Sequence, residues 1–226
     1  METLGVENIL AFGIFLSLWL VFEFVIDHSP LRFKSLTGHM AFKRREWMLV
    51  MAERDLRMID TSILTGLQQG AAFFGSACLL GIGGCFALLG ATENVVQIHR
   101  DLPLDAEFTR GLWDTKVLGL TAILGYSFFK FGWSYRLFNY CSILIGAVPH
   151  KGDAPLEERK KAALDAAEIN THAARHFTAG LRGTFFALAY LGWFLGPIAL
   201  IITTLLLIAV LVRRQFFSYS LKVLSD

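Results

Sequence analysis

The sequence predicts an all-α integral membrane protein with four long transmembrane helices and helical extensions on the cytoplasmic side. Hydrophobic residues make up 54% of the 226 residues and charged residues 18%, against about 45–50% and about 25% in soluble domains. The apolar residues are gathered into four blocks, at about residues 6–26, 61–89, 112–138 and 181–212. A helix of about 20 residues crosses the hydrocarbon core, and none of the blocks alternates apolar and polar residues as barrel strands do. We therefore expect one membrane domain over residues 1–226.

The basic residues between the blocks predict the orientation. Residues 27–60 carry seven Lys/Arg and residues 149–180 carry five, whereas residues 91–110 carry only Arg100 and Arg110. The positive-inside rule places the two basic loops in the cytoplasm and the middle loop outside. This arrangement is typical of a multi-pass protein of the bacterial inner membrane.

The fourth block leaves the side of the C-terminus open. Four crossings place the C-terminus outside, but the tail begins Arg213-Arg214 and includes Lys222, which favours the cytoplasm. Pro197 lies in the middle of the block and removes a helical hydrogen bond. The block is therefore either one long kinked helix or a helix that breaks near Pro197 and returns to the same side.

Both basic loops are expected to contain helices. Basic and apolar residues are interleaved over residues 37–59, as in a helix near the membrane surface. Pro155 precedes two glutamates and then two lysines, a pattern that favours a helix start. Each half then consists of a span, a basic helical loop and a span, and residues 66–74 resemble residues 180–186. Two parallel helical-hairpin repeats explain this similarity, with chance as the alternative.

Charged residues near the inner ends of the first and third spans are candidates for an ion pair or a pore. Such residues are costly inside a bilayer and are usually functional. Glu23 shares a depth with Lys130 and Arg136 if the two spans run in the same direction. Glu23 pairs with one of these cations in one interpretation. In the other, the cations reach the cytoplasmic headgroups.

The start of the second span combines polar residues with glycines. Asp60, Gln68 and Gln69 either line a cytoplasmic vestibule or bond to neighbouring helices. Gly66 and Gly70 form a GxxxG motif, which lets another helix approach closely, although a gating hinge is the alternative. Twenty phenylalanines also suit close helix contacts, so we expect a homo-oligomer.

The sequence predicts neither catalysis nor a cofactor. His172 and His176 are four residues apart on a predicted helix and therefore share a face that can hold a metal ion. They lack the glutamate of an HExxH motif, and a polar helix face near the headgroups is the simpler interpretation. No phosphate-binding loop, dinucleotide fingerprint or nucleophile elbow occurs, and no long basic run indicates nucleic-acid binding. The expected partners are the bilayer, anionic headgroups at the basic loops, and other membrane subunits.

The layout resembles the membrane family catalogued as "domain of unknown function 599" (DUF599). The resemblance covers most of the chain and rests on its length, on the plan of four spans with two basic helical loops, and on the run Arg182-Gly-Thr-Phe-Phe-Ala-Leu-Ala-Tyr-Leu-Gly-Trp193. The family name implies no activity, so the resemblance assigns no site residues. The sequence is compatible with two functions: an oligomeric channel or transporter for ions or small solutes, and a non-catalytic accessory or scaffold subunit of a larger membrane complex.

Overall fold

Long helices joined by short turns make up the structure, a computed structural model that describes residues 5–93, 97 and 109–225. The named helices in chain order are α1 Val6–His28, α2 Leu36–Ala52, α3 Met58–Gly90, α4 Arg110–Ala147, α5 Leu156–Tyr190, α6 Gly192–Leu195, α7 Pro197–Phe216 and α8 Tyr219–Ser225. A 3-10 helix at Pro30–Lys34 joins α1 to α2. The described residues contain no β-strand, so the all-α prediction is confirmed for them. Most of the expected outward loop at residues 91–110, including Arg100, lies outside the described residues.

Local sequence explains several helix starts. The Ser35 hydroxyl accepts a hydrogen bond from the Gly38 amide at 3.1 Å and caps α2. Thr109 caps α4 in the same way, through the amide of Leu112 at 3.2 Å. The helix expected after Pro155 is confirmed, since α5 begins at Leu156 with acidic residues in its first turn.

Among the described residues, three stretches are long and apolar enough to cross a membrane: α1, α3 and Pro197–Leu224, which contains α7 and most of α8. They agree with a membrane protein, but four predicted spans are not confirmed. The third predicted span belongs to α4, which is not among the three candidates. A helix packed between other helices needs a less uniformly apolar surface than a helix that faces lipid. α4 accordingly buries Ser127 and Ser134 against its neighbours.

α4 and α5 form an antiparallel pair at the centre of the bundle. Buried residues recur every three or four positions along α4, a spacing typical of helices packed at a small angle: Val117, Leu120, Ile123, Ser127, Phe131, Ser134, Phe138, Cys141 and Ile145. The facing positions of α5 are mostly small: Ala163, Ala166, Ala173, Ala179, Gly180 and Gly183. A Cβ atom on Gly180 would lie 2.9 Å from the Phe131 ring, and one on Gly183 would clash with the Ser127 hydroxyl. Small residues therefore set the close approach of the two helices.

The fourth apolar block, residues 181–212, is not one helix. α5 ends at Tyr190, and Gly196 has a φ of 137°, which glycine adopts far more easily than other residues. Pro197 then starts α7 at a position where its missing N–H costs nothing. The Thr203 hydroxyl donates to the Ala189 carbonyl at 2.7 Å, so α7 runs back along α5. Of the two alternatives predicted for this block, the structure has the broken helix.

The reversal brings the tail back to the basic connections. The Gln215 amide donates to the Thr37 hydroxyl, at the start of α2, at 2.7 Å. We call the end that holds α2, the start of α5 and the tail the basic end. The opposite end holds Asn8 and Trp193, joined by a hydrogen bond of 2.8 Å. Arg213 therefore lies at the same end as the two basic loops.

The two predicted hairpin repeats are not confirmed. In the first half, residues 53–57 separate α2 from α3. In the second half, the corresponding segment and span are continuous in α5. The second half also continues into α7, which has no counterpart among the described residues of the first half.

The apolar core has two parts. Near the opposite end, an aromatic core packs α1 on α5: the Trp19 and Phe186 rings stack with centroids 5.1 Å apart, and Phe15 meets Tyr190 edge to face at 5.5 Å. Nearer the basic end, α2 buries Met48 and Met51 completely against the alanine-rich face of α5. A group of charged side chains lies at the basic side of the aromatic core, between α1 and α5.

Candidate functional site

Three charged residues form this group, which we call the arginine–carboxylate cluster: Glu23 and Asp27 of α1 and Arg182 of α5. Arg182 Nε donates to Glu23 Oε1 at 3.0 Å, and Nη2 donates to Glu23 Oε2 at 2.5 Å. The same Nη2 donates to Asp27 Oδ2 at 2.8 Å. Glu23 and Asp27 are one helical turn apart and share a face. One guanidinium therefore bridges two carboxylates, which leaves the cluster one negative charge in excess.

The three side chains of the cluster differ in their exposure. The Arg182 side chain is 6% exposed, that of Glu23 16% and that of Asp27 39%. Because α1 runs towards the basic end, exposure increases in that direction. A small cation or a proton arriving from the basic end would meet Asp27 before Glu23.

Aromatic side chains cover the other sides. The Trp19 indole N–H lies 3.4 Å from Glu23 Oε1, a long hydrogen bond. The Tyr126 ring of α4 meets Trp19 edge to face at 5.5 Å. Lys130 Nζ lies over the Tyr126 ring, 5.2 Å from its centroid, and makes a cation–π contact with it. The cluster thus lies beside aromatic side chains, and Asp27, its most exposed member, lies towards the basic end.

Burying these charges has a large cost, which sets the cluster apart from surface pairs. Taking an ion out of water costs several kcal/mol even after relaxation. The bidentate contact with Glu23 and the further contact with Asp27 offset that cost. Both consist of hydrogen bonds between charged groups, which are stronger than those between neutral groups. By contrast, the Lys43–Glu46 pair is 48% and 45% exposed and contributes little to stability.

Glu23 was a predicted site residue, but its partner differs from both predicted ones. The pair with Lys130 or Arg136 does not form, because Arg182 occupies the Glu23 carboxylate. Arg136 instead donates from Nε to the Tyr140 hydroxyl at 2.6 Å, in an exposed position. One signal for the true partner was present in the sequence, since Arg182 is an isolated cation beside a run of apolar residues.

The polar residues at the start of α3 lie between helices. Asp60 is completely buried and accepts hydrogen bonds from Trp47 Nε1 and Arg54 Nη1, both at 2.7 Å. Gln68 Nε2 donates to Asn139 Oδ1 of α4 at 2.8 Å. Of the two predicted alternatives, these contacts correspond to hydrogen bonding between helices.

Within the part of the chain that the structure describes, Gln69 makes no hydrogen bond to another helix, and neither Gly66 nor Gly70 packs closely against one. Gln69 is exposed. A Cβ on Gly66 would meet nothing within 4 Å, and one on Gly70 would meet only the Phe177 ring, at 4.0 Å. Close helix packing at this GxxxG motif therefore stays a prediction about contacts between subunits.

The two candidate metal ligands, His172 and His176, take no part in the hydrogen bonds of the arginine–carboxylate cluster. His172 Nε2 is 4.0 Å from Glu168 Oε1 at the surface of α5. The His176 ring packs beside the Trp133 ring at 6.4 Å. Among the described residues, no group of three or more His, Cys, Asp or Glu is placed to hold a metal ion.

Sequence reasoning also missed a buried lysine at the opposite end. Lys116 is 5% exposed and donates from Nζ to the Trp193 carbonyl at 2.7 Å. Lys116 thereby satisfies a carbonyl where the helix breaks before α7, which stabilises the reversal.

Comparison with known proteins identifies a family. A family model described as "Protein of unknown function, DUF599" matches residues 10–220. The match covers nearly the whole chain and confirms the resemblance predicted from the sequence. No curated protein matches the chain, and no solved structure matches it.

Proposed function

Since the chain belongs to the DUF599 family of proteins of unknown function, we propose a function from its own side chains: it is an integral membrane protein that moves ions or small solutes, with the arginine–carboxylate cluster on the path. The membrane location is supported by the three apolar stretches and by the large apolar side chains that α1 and α3 expose, such as Leu20, Phe24, Leu80 and Phe86. Surfaces of this kind suit contact with lipid.

The proposed orientation puts the basic end in the cytoplasm of a bacterial cell and the opposite end outside the inner membrane. It is supported by the positions of the basic segments, because both basic loops and the Arg213-Arg214 tail lie at one end of the bundle. With this arrangement the positive-inside rule is satisfied by every described basic segment.

The observation that carries the transport proposal is the buried cluster itself. Replacing a buried ion pair by apolar residues of similar volume is often neutral or stabilising, so stability alone does not explain its presence. Ionisable residues within membrane helices usually mark an ion or proton pathway. The excess carboxylate supplies the place where a cation or a proton binds, and Arg182 can shift between its two partners as it does so.

The aromatic core supplies the barrier. Phe15, Trp19, Phe186 and Tyr190 fill the space between the cluster and the opposite end. In our proposal, the described conformation opens to the basic end and is closed towards the other side by these rings. Their displacement would expose the cluster to the opposite end.

Flux measurements in proteoliposomes test this proposal. The full chain would be assayed for H⁺, Na⁺, K⁺ and Cl⁻ movement under an imposed potential, beside Glu23→Gln and Glu46→Gln. We expect flux above that of protein-free liposomes, a loss of at least tenfold in Glu23→Gln, and no change in Glu46→Gln, whose carboxylate is half exposed. Absence of flux for all four ions, or flux that Glu23→Gln leaves unchanged, would contradict the proposal.

A second candidate is a non-catalytic accessory or scaffold subunit. It is favoured by an exposed face of α3, where Gly83 and Gly84 have open space around them, so that another helix can pack closely there. A second copy of the chain would occupy this face in a homo-oligomer, and another protein would do so in a larger complex. Cross-linking from α3 to another protein, together with absence of flux, would support this alternative. Neither candidate function involves catalysis.

A further inference from the structure

A cleft near the basic end separates α3 from α5. Its volume is about 210 Å³, and its lining includes Arg44, Gly66, Gly70, Phe138, Phe177 and Thr178. By the share of about 30 Å³ per liquid water molecule, this space holds about seven waters, enough for an oxyanion group and part of an attached chain. The cleft shares no lining residue with the arginine–carboxylate cluster.

Glycines create this space. Gly66 and Gly70 are one turn apart on α3 and leave the floor of the cleft without side chains. The nearest atoms to a Cβ on Gly70 would be those of the Phe177 ring at 4.0 Å, and a Cβ on Gly66 would meet nothing. The GxxxG motif thus forms a groove in this chain.

Arg44 lines the cleft without a counter-ion among the described residues. Its Nη1 donates to Asn170 Oδ1, a neutral acceptor, at 2.5 Å, and no described carboxylate makes an ion pair with it. Two neighbouring cations at this end have carboxylate partners: Lys43 has Glu46 at 2.9 Å, and Arg54 has Asp60 at 2.7 Å.

Burial lowers the pKa of Arg44 from its ordinary value, and the nearby Cys141 thiol acts in the opposite sense. The desolvation of the guanidinium is therefore not offset by a formal negative charge. A guanidinium with free donors in a cavity is suited to bind an oxyanion, because its fork matches phosphate oxygens.

We propose that this cleft binds the phosphate headgroup of an anionic phospholipid, with the phosphate at Arg44 and the start of an acyl chain along Gly66 and Gly70. The inference rests on the proposed membrane location but not on transport. The rest of the lining favours a lipid over free phosphate, because Leu67, Phe138 and Phe177 are apolar and offer a small anion no donors. The cleft also lies at the basic end, where the headgroups of the cytoplasmic leaflet would be.

Native mass spectrometry of the full chain in a neutral detergent tests this site. Phosphatidylglycerol would be titrated against phosphatidylcholine, and Arg44→Gln would be compared with Lys43→Gln, which changes an adjacent, exposed cation. We expect one retained phosphatidylglycerol, at least tenfold weaker retention in Arg44→Gln, and no change in Lys43→Gln. Equal retention of both lipids, or equal effects of the two variants, would overturn the proposal.

Two further arms keep the test decisive. Gly70→Leu fills the groove while leaving Arg44 in place, and it should also weaken retention at least tenfold; unchanged retention would refute the proposed course of the acyl chain even if Arg44→Gln does not fold. Inorganic phosphate added at the lipid concentration should not displace phosphatidylglycerol, and displacement would identify a phosphate site in place of a lipid site. A chain that conducts ions but retains no lipid would overturn this inference and leave the transport proposal standing.

Discussion

Replacing Arg182 by leucine should destabilise the protein strongly, because it leaves two carboxylates without their cation. Removing one partner of a buried ion pair costs about 3–5 kcal/mol. Asp27 is 39% exposed and can be solvated, whereas Glu23 is only 16% exposed. We therefore expect the lower end of that range, about 3 kcal/mol. For a domain of this size, that corresponds to a decrease of about 6–12 °C in the unfolding midpoint.

The chain contains its own reporter of unfolding. Its three cysteines, Cys78, Cys85 and Cys141, are free and buried. A thiol-reactive fluorescent dye added to the detergent-solubilised protein should therefore react only as the helices separate. The matched control is Lys43→Leu, which breaks an exposed ion pair and should change stability by no more than about 1 kcal/mol.

A double-variant cycle separates the ion pair from the loss of side-chain packing. Glu23→Leu leaves Arg182 with Asp27 and should cost less than Arg182→Leu. The combined Glu23→Leu/Arg182→Leu protein removes both buried charges and should be more stable than the sum of the single effects predicts, by about 2 kcal/mol. Additive effects, or a midpoint of Arg182→Leu equal to that of Lys43→Leu, would refute the view that the pair is buried and coupled.

Three further predictions concern the rest of the fold. Asp60→Asn should cost about 1.5–3 kcal/mol, because the charged acceptor of the Trp47 and Arg54 hydrogen bonds is lost, and the same dye assay measures the decrease; an unchanged midpoint would contradict it. Gly183→Ala should cost about 1–3 kcal/mol through overpacking against α4, whereas Gly66→Ala should leave the unfolding midpoint unchanged within the error of the assay. Equal effects of the two substitutions would show that α4 and α5 are not packed closely at Gly183. Topology reporters at the C-terminus and in the α2–α3 turn should give signals from the same side of the membrane, and opposite sides would exclude the reversal before α7.

Apolar patterning predicted the helical class, because it depends on local composition. It also located α1 and α3, whose first and last residues lie within a few positions of those of the predicted spans. The reversal at Gly196 could not be read in the same way, since the sequence is apolar on both sides of it and hydropathy carries no direction. The glycine and proline marked a break, but only the tertiary contact between Thr203 and Ala189 shows that α7 returns along α5.

The site was predictable only in part, because its geometry depends on contacts between distant segments. Glu23 was identified because a charged side chain is energetically costly within an apolar block. Its partner Arg182, however, lies 159 residues away in sequence. Arg44 is flanked by Lys43 and Arg45, and nothing in the sequence distinguishes the three. Packing alone makes Arg44 the least exposed of the three, because its position on α2 faces Asn170 of α5.

The same double variant decides whether the cluster is structural or functional. If Glu23 and Arg182 only join α1 to α5, replacing both by leucine restores apolar packing, and the protein keeps whatever activity it has. If ion movement requires Arg182 to shift between its two carboxylates, the Glu23→Leu/Arg182→Leu protein folds but gives no flux, because Asp27 keeps its charge while the guanidinium and its second partner are gone. A double variant that stays folded but loses flux would therefore show that the charged residues are retained for function and not for stability.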